Sequence, residues 1–66
     1  MEWSADLQSA LARLTWSQRA VLALYYQLDL PQEEIARVLG VRTGTVKSRL
    51  SRATAALRTA IHQEEK

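Results

Sequence analysis

The sequence has no cysteine and no phenylalanine, one proline, two glycines and one histidine. Without cysteine, disulfides, thiolate metal sites and a thiol nucleophile are excluded together, and a reducing compartment suits the chain. No apolar run approaches the roughly 20 residues that cross a bilayer. Met1-Glu2-Trp3-Ser4 lacks the basic segment and apolar core of a secretory signal, so a cytoplasmic domain without a membrane partner is expected. His62 has no second ligand type near it, which argues against a metal site or a Ser-His arrangement with Ser17 or Ser48. Glu33 and Glu34 are adjacent and point apart on a helix, so they do not form a catalytic carboxylate pair. No glycine-rich phosphate loop is present. The expectation is a protein that is not an enzyme and takes no cofactor. With 66 residues, positions 1–66 form one domain with a modest core.

The most informative scarcity is local. Residues 41–63 contain no acid but carry Arg42, Lys47, Arg49, Arg52 and Arg58, a net charge of +5. Residues 1–40 set three arginines against five acids, a net −2, and the tail Glu64-Glu65-Lys66 adds −1. The overall charge of +2 conceals this asymmetry. An acid-free basic segment suits a polyanionic partner, the alternative being a solvated helix face. Trp3, Trp16, Tyr25 and Tyr26 lie outside that segment, so they are expected to pack in the core or against a protein partner rather than stack on bases.

What is present reads as helix, broken only near Thr15, Pro31 and Gly40–Thr43. A first helix runs from about Ser4, a candidate N-cap, to Arg13, with Leu7, Ala10, Leu11 and Leu14 on its apolar side. Thr15 followed by Gln18 fits a capping box that opens a second helix bearing Val21, Leu22, Leu24, Tyr25 and Leu28. Pro31 is expected at the first position of a third helix, with Glu33 and Glu34 in its first turn and Ile35, Ala36, Val38 and Leu39 on its apolar side. Gly40 is expected to close it with a positive φ. The last helix extends from about Thr43 to His62, with Val46, Leu50, Ala53, Leu57 and Ile61 on one stripe. Leu24, Ile35, Val46, Leu50 and Leu57 are expected to be buried. The fold class is all-α, a small four-helix domain with a helix-turn-helix over about residues 31–60.

The exposed start of the last helix is short and polar: Gly44, Thr45 and Ser48, then Arg52. The major groove is about 12 Å wide and admits one helix, and short side chains let that helix sit deep. The helix N-terminus also offers free amides to phosphate. Candidate DNA-binding residues are Arg42, Thr43, Thr45, Lys47, Ser48, Arg49, Ser51 and Arg52.

Glu33-Glu34-Ile35-Ala36, Leu39-Gly40-Val41, Gly44-Thr45-Val46-Lys47-Ser48-Arg49-Leu50 and Arg52-Ala53 resemble region 4 of bacterial sigma factors, most of all the extracytoplasmic-function group. Leu14, Gln18-Arg19, Val21, Leu24 and Tyr25-Tyr26 follow the same pattern, so the resemblance spans roughly residues 14–58. Response-regulator helix-turn-helix domains share the Glu-Ile-Ala and Thr-Val-Lys elements but usually lack Ser-Arg-Leu-x-Arg-Ala. The resemblance implies a domain that reads the −35 promoter element in double-stranded DNA together with core RNA polymerase, and that an anti-sigma factor could hold. By position it puts Lys47, Ser48, Ser51 and Arg52 at the DNA face and gives Arg42 and Arg49 to phosphates. A stand-alone or response-regulator-type transcription factor, binding as a dimer, is the alternative.

Three positions depart from the family pattern. Arg42 and Pro31 stand where a capping serine or threonine is common, so Thr43 is expected to cap the last helix. Ser51 is smaller than its usual counterpart, so no DNA sequence preference carries over. Complete sigma factors also have a region that melts the −10 element. The resemblance does not reach it, which implies an excised domain or a small stand-alone relative.

Overall fold

The computed structural model describes residues 5–64, with side chains from 6 to 63. Among the described residues it contains four α-helices and one π-helical turn, and no strand: α1 (Ala5–Leu11), α2 (Trp16–Leu22), the π turn (Ala23–Gln27), α3 (Gln32–Leu39) and α4 (Thr43–Glu64). The candidate cap Ser4, and Trp3 before it, lie outside the described residues. α1 stops two residues short of the expected Arg13 because its end tightens. The amides of Arg13 and Leu14 bond three residues back, to Ala10 and Leu11, and this turns the chain while Leu11 and Leu14 stay buried.

The capping box at the start of α2 forms as its sequence predicts. The Gln18 amide donates to Thr15 Oγ1 at 3.1 Å, and the Thr15 amide donates to Gln18 Oε1 at 3.0 Å. The rest of this helix departs from expectation. A π turn widens it, with the Leu28 amide bonding the Ala23 carbonyl five residues back. One extra residue in a turn rotates everything after it by about 100°. Leu24 and Tyr25 therefore pack half-buried against the core, while Leu28 is turned out and is 63% exposed. The segment closes on Asp29 in the left-handed region, φ 57°, and the Leu30 amide reaches back to the Leu24 carbonyl.

Pro31 precedes α3 as its N-cap, one position earlier than expected. Its extended backbone, ψ 157°, aims its carbonyl at the amides of Glu34 and Ile35, while Gln32 takes the first helical position. Gly40 ends α3 with φ 70°, as expected. Its amide bonds the Arg37 carbonyl and the Val41 amide bonds the Ala36 carbonyl, the paired bonds of a Schellman motif. Val38, expected on the apolar side of α3, is 57% exposed, because Ile35 and Ala36 direct the buried face elsewhere.

α4 packs against α1, α2 and α3. Its 22 residues rise about 33 Å at 1.5 Å each, which accounts for most of the 37 Å long axis. Ile35, Val46 and Leu50 are buried as expected, joined by Ala10, Leu11, Leu14, Val21, Leu22, Ala36, Ala53 and Ala60. Leu24 and Leu57 are only half-buried. The π turn displaces Leu24, and Leu57 lies toward the end of α4, where the shorter helices no longer cover it fully. Arg13 Nη1 donates to Gln63 Oε1 at 2.8 Å, tying the α1–α2 link to the far end of α4.

Candidate nucleic-acid interface

The interface follows from how α4 divides its circumference. Val46, Leu50, Ala53, Leu57, Ala60 and Ile61, buried or half-buried, fall within an arc of roughly 100° at 3.6 residues per turn. That arc is occupied by the other three helices. Everything opposite it is left to solvent, and there the sequence supplies Gly44, Ser48, Ser51, Arg52 and Ala55, all exposed.

The turn into α4 sets where the positive charge begins. The Schellman motif at Gly40 ends α3 and redirects the chain, so Val41 packs onto the core and Arg42 is left outside. The Arg42 carbonyl accepts from the amides of Thr45 and Val46, which makes Arg42 the N-cap of α4 by position. Thr43 is the first helical residue rather than the expected cap, because the helix begins one residue after that carbonyl. Of the eight candidate residues, Arg42, Lys47, Ser48, Ser51 and Arg52 are exposed, and Thr43, Thr45 and Arg49 are half-buried.

The candidates separate onto two flanks of α4. Arg49 and Arg52 line a notch of about 220 Å³ whose other wall is the start of α2, at Thr15, Ser17 and Gln18. Ser51 faces the other way, into an open groove of about 380 Å³ shared with Tyr26, Gln32, Thr54 and Arg58. Lys47 lies on the Ser51 flank, about 40° from it around the helix, and Ser48 lies on the ridge between the flanks. Tyr25 and Tyr26 form one wall of the groove, stacked edge to face with ring centroids 4.9 Å apart. Nothing local in the sequence brings Thr15 and Ser17 beside Arg49, 34 and 32 residues away, or Gln32 beside Arg58. The only available signal was the helical spacing that splits α4 into flanks.

No carboxylate among the described residues pairs with Arg42, Lys47, Arg49, Arg52 or Arg58. The acid nearest in kind, Glu34, sits 3.4 Å from Arg37 on the exposed side of α3. Arg49 and Arg52, three residues apart on one flank, repel each other modestly without an anion between them. Trp16, expected in the core or against a partner, points away from the core and is 75% exposed, with Arg19, Ala20 and Ala23 beside it. Among the described residues no group of three or more His, Cys, Asp or Glu could hold a metal ion, and no helix is long and apolar enough to cross a membrane.

A family profile described as "Sigma-70, region 4" matches residues 4–57. The chain is 38% identical over 60 residues to RNA polymerase sigma factor SigV of Bacillus subtilis, an alignment covering 91% of this chain and 36% of that protein. It is 43% identical over 56 residues to RNA polymerase sigma factor FliA of Pseudomonas aeruginosa, covering 85% of this chain and 23% of that one. It is 46% identical over 54 residues to ECF RNA polymerase sigma factor SigE of Mycolicibacterium smegmatis, covering 82% and 21%. The chain thus spans about a third or less of the length of these relatives. No solved structure gives a significant match.

Proposed function

The chain belongs to the sigma-70 region 4 family, and from that premise we propose that it reads the −35 element of promoters in double-stranded DNA, acting with core RNA polymerase in transcription initiation. The observation that carries this reading is the outer face of α4, exposed, basic and free of acid, with Gly44, Ser48 and Ser51 short enough for close approach. In this reading Ser48 and Ser51 let α4 settle into the major groove and offer single hydrogen bonds. Arg52, one turn beyond Ser48, supplies paired donors for guanine O6 and N7. Arg42, at the start of α4, and Arg49, at the α2 flank, meet backbone phosphates, as do the amides of Thr43 and Gly44, which precede the first intrahelical donor at Thr45. Lys47 reaches either a base edge or a phosphate. The site of action is the cytoplasm, where promoter and polymerase meet. Trp16, aimed outward from α2 on the side away from the core, is available to polymerase or to an anti-sigma factor.

The test is a set of affinities. A preferred duplex is selected from a randomised pool, and wild type and Arg52→Ala are measured on it and on a scrambled duplex. Arg52→Ala is expected to cost about 1–3 kcal/mol on the preferred duplex and much less on the scrambled one. Equal losses on both reduce Arg52 to a backbone clamp. A wild type that prefers no duplex overturns the promoter-reading assignment.

A further inference from the structure

We propose that Arg58, with the groove it shares with Ser51, Thr54 and Gln32, holds a backbone phosphate of the DNA strand opposite the one met by Arg49, so that α4 braces both walls of the major groove. The proposal rests on the promoter-reading assignment and extends it to a part of α4 beyond the reading segment.

Arg49 and Arg58 are nine residues apart, which at 100° per residue is two and a half turns. They therefore leave α4 on opposite sides, separated by about 13.5 Å along its axis. The structure agrees with this count. Arg49 lines the notch against α2, and Arg58 lines the groove against the π turn and the start of α3. A helix about 10–12 Å across in a groove about 12 Å wide touches both walls. Those walls are the backbones of the two strands, so cations leaving opposite flanks face opposite strands.

The groove has the composition a phosphate needs. Its rim carries the Arg58 guanidinium, the hydroxyls of Thr54 and Ser51 and the carboxamide of Gln32, all able to donate, and no carboxylate lines it. The groove is open, with Arg58 exposed at its edge, so a phosphodiester reaches it without any rearrangement of the fold. Two of its donors, Ser51 and Thr54, share a flank with Lys47, so one row from Lys47 to Arg58 runs along one strand. No acid among the described residues pairs with Arg58, and its helical neighbours at three and four residues are Thr54, Ala55, Ile61 and His62. The arginine is therefore uncompensated among the described residues.

The experiment compares wild type, Arg58→Gln and Arg58→Lys on the selected and the scrambled duplex across a salt series. Arg58→Gln should weaken both duplexes by the same factor, roughly five- to tenfold near 0.1 M salt, and flatten the logarithmic salt slope by about one unit. Arg58→Lys should keep the slope. The strand is then identified by replacing single phosphates with neutral methylphosphonates. One position should weaken wild type but leave Arg58→Gln unchanged, and it should lie on the strand opposite the position coupled in the same way to Arg49→Gln. Unchanged affinity and slope for Arg58→Gln, or coupled phosphates on the same strand, overturn the proposal while the promoter reading stands. If wild type binds no duplex, the reading falls and the proposal falls with it. Arg58 is exposed, so an unchanged thermal melt confirms that each variant is folded.

Discussion

The two glycines do different work, and the structure separates them. Gly40 sits at φ 70° with nothing within 4 Å of where a Cβ would stand, so its requirement is backbone conformation and not space. Gly44 also has open space around a would-be Cβ, but it lies in ordinary helical conformation inside α4. The fold needs the first glycine and has no use for the second. Gly40→Ala should therefore lower unfolding free energy by about 1–2 kcal/mol, the cost of a left-handed L-residue. Gly44→Ala should raise it by up to about 1 kcal/mol through better helix propensity. On the selected duplex, however, Gly44→Ala should weaken binding, because a methyl there holds α4 away from the bases. Urea unfolding and duplex affinity measured on the same two variants check both halves. A Gly44→Ala protein that is more stable and binds equally well would remove Gly44 from the interface. Asp29, at φ 57°, shows that the left-handed region is not reserved for glycine, since a short polar side chain tolerates it.

At the level of elements, α2 and α4 are legible from quite different signals. α2 begins at a reciprocal pair of hydrogen bonds between Thr15 and Gln18, visible in the sequence as a three-residue spacing. Thr15→Ala should cost about 1 kcal/mol of stability by removing the acceptor for the Gln18 amide. Because Thr15 also forms the far wall of the Arg49 notch, the same change tests whether that wall matters for DNA. A stability loss with unchanged affinity for the folded protein confines Thr15 to capping. α4 is legible from its apolar periodicity, and its partner from its charge. Its cations release counterions when they meet phosphate, so duplex affinity should fall steeply with salt. Arg42→Ala and Arg49→Ala should each flatten that dependence by about one unit, on every sequence alike. A slope near zero for wild type would assign the basic face to some other partner. The π turn between these elements had no such signal. Apolar residues at 21, 22, 24, 25 and 28 fit a broad helical arc as well as they fit a helix with one inserted residue, and only packing against α4 selects between them.

Considered as a whole, the domain has little stability to spare. A chain of 66 residues is worth about 3–10 kcal/mol at usual values per residue. Ile35, Val21, Leu22 and Val46 are the largest fully buried side chains and meet where α2, α3 and α4 converge. Ile35→Ala should cost about 2–5 kcal/mol, a large part of that total. Thermal unfolding followed by circular dichroism should show a sharply lower midpoint, with loss of DNA binding tracking loss of helix. A small shift would mean that the junction of α3 and α4 relaxes to fill the cavity. Because the proposed reading face is simply the side of α4 left over after packing, mutations at this junction should damage recognition only through folding.

The sequence by itself determined the helices, the Thr15–Gln18 capping box, the left-handed Gly40 and the basic outer face of α4. Each depends on residues within one or two turns of each other, where propensity, hydrogen bonding and 3.6-residue periodicity act locally. It also carried the family resemblance, because the Gly-Thr-Val-Lys-Ser-Arg-Leu run is contiguous. The tertiary structure alone decided the π turn, the outward rotation of Leu28, Val38 and Trp16, and the half-burial of Leu24 and Leu57. It also decided which cations share a wall: Arg49 and Arg52 with Thr15 and Ser17, Arg58 with Gln32. These outcomes depend on which of several nearly equivalent helix faces the neighbouring helices cover. That choice minimises exposed apolar surface over the whole chain, so no short stretch of sequence contains it.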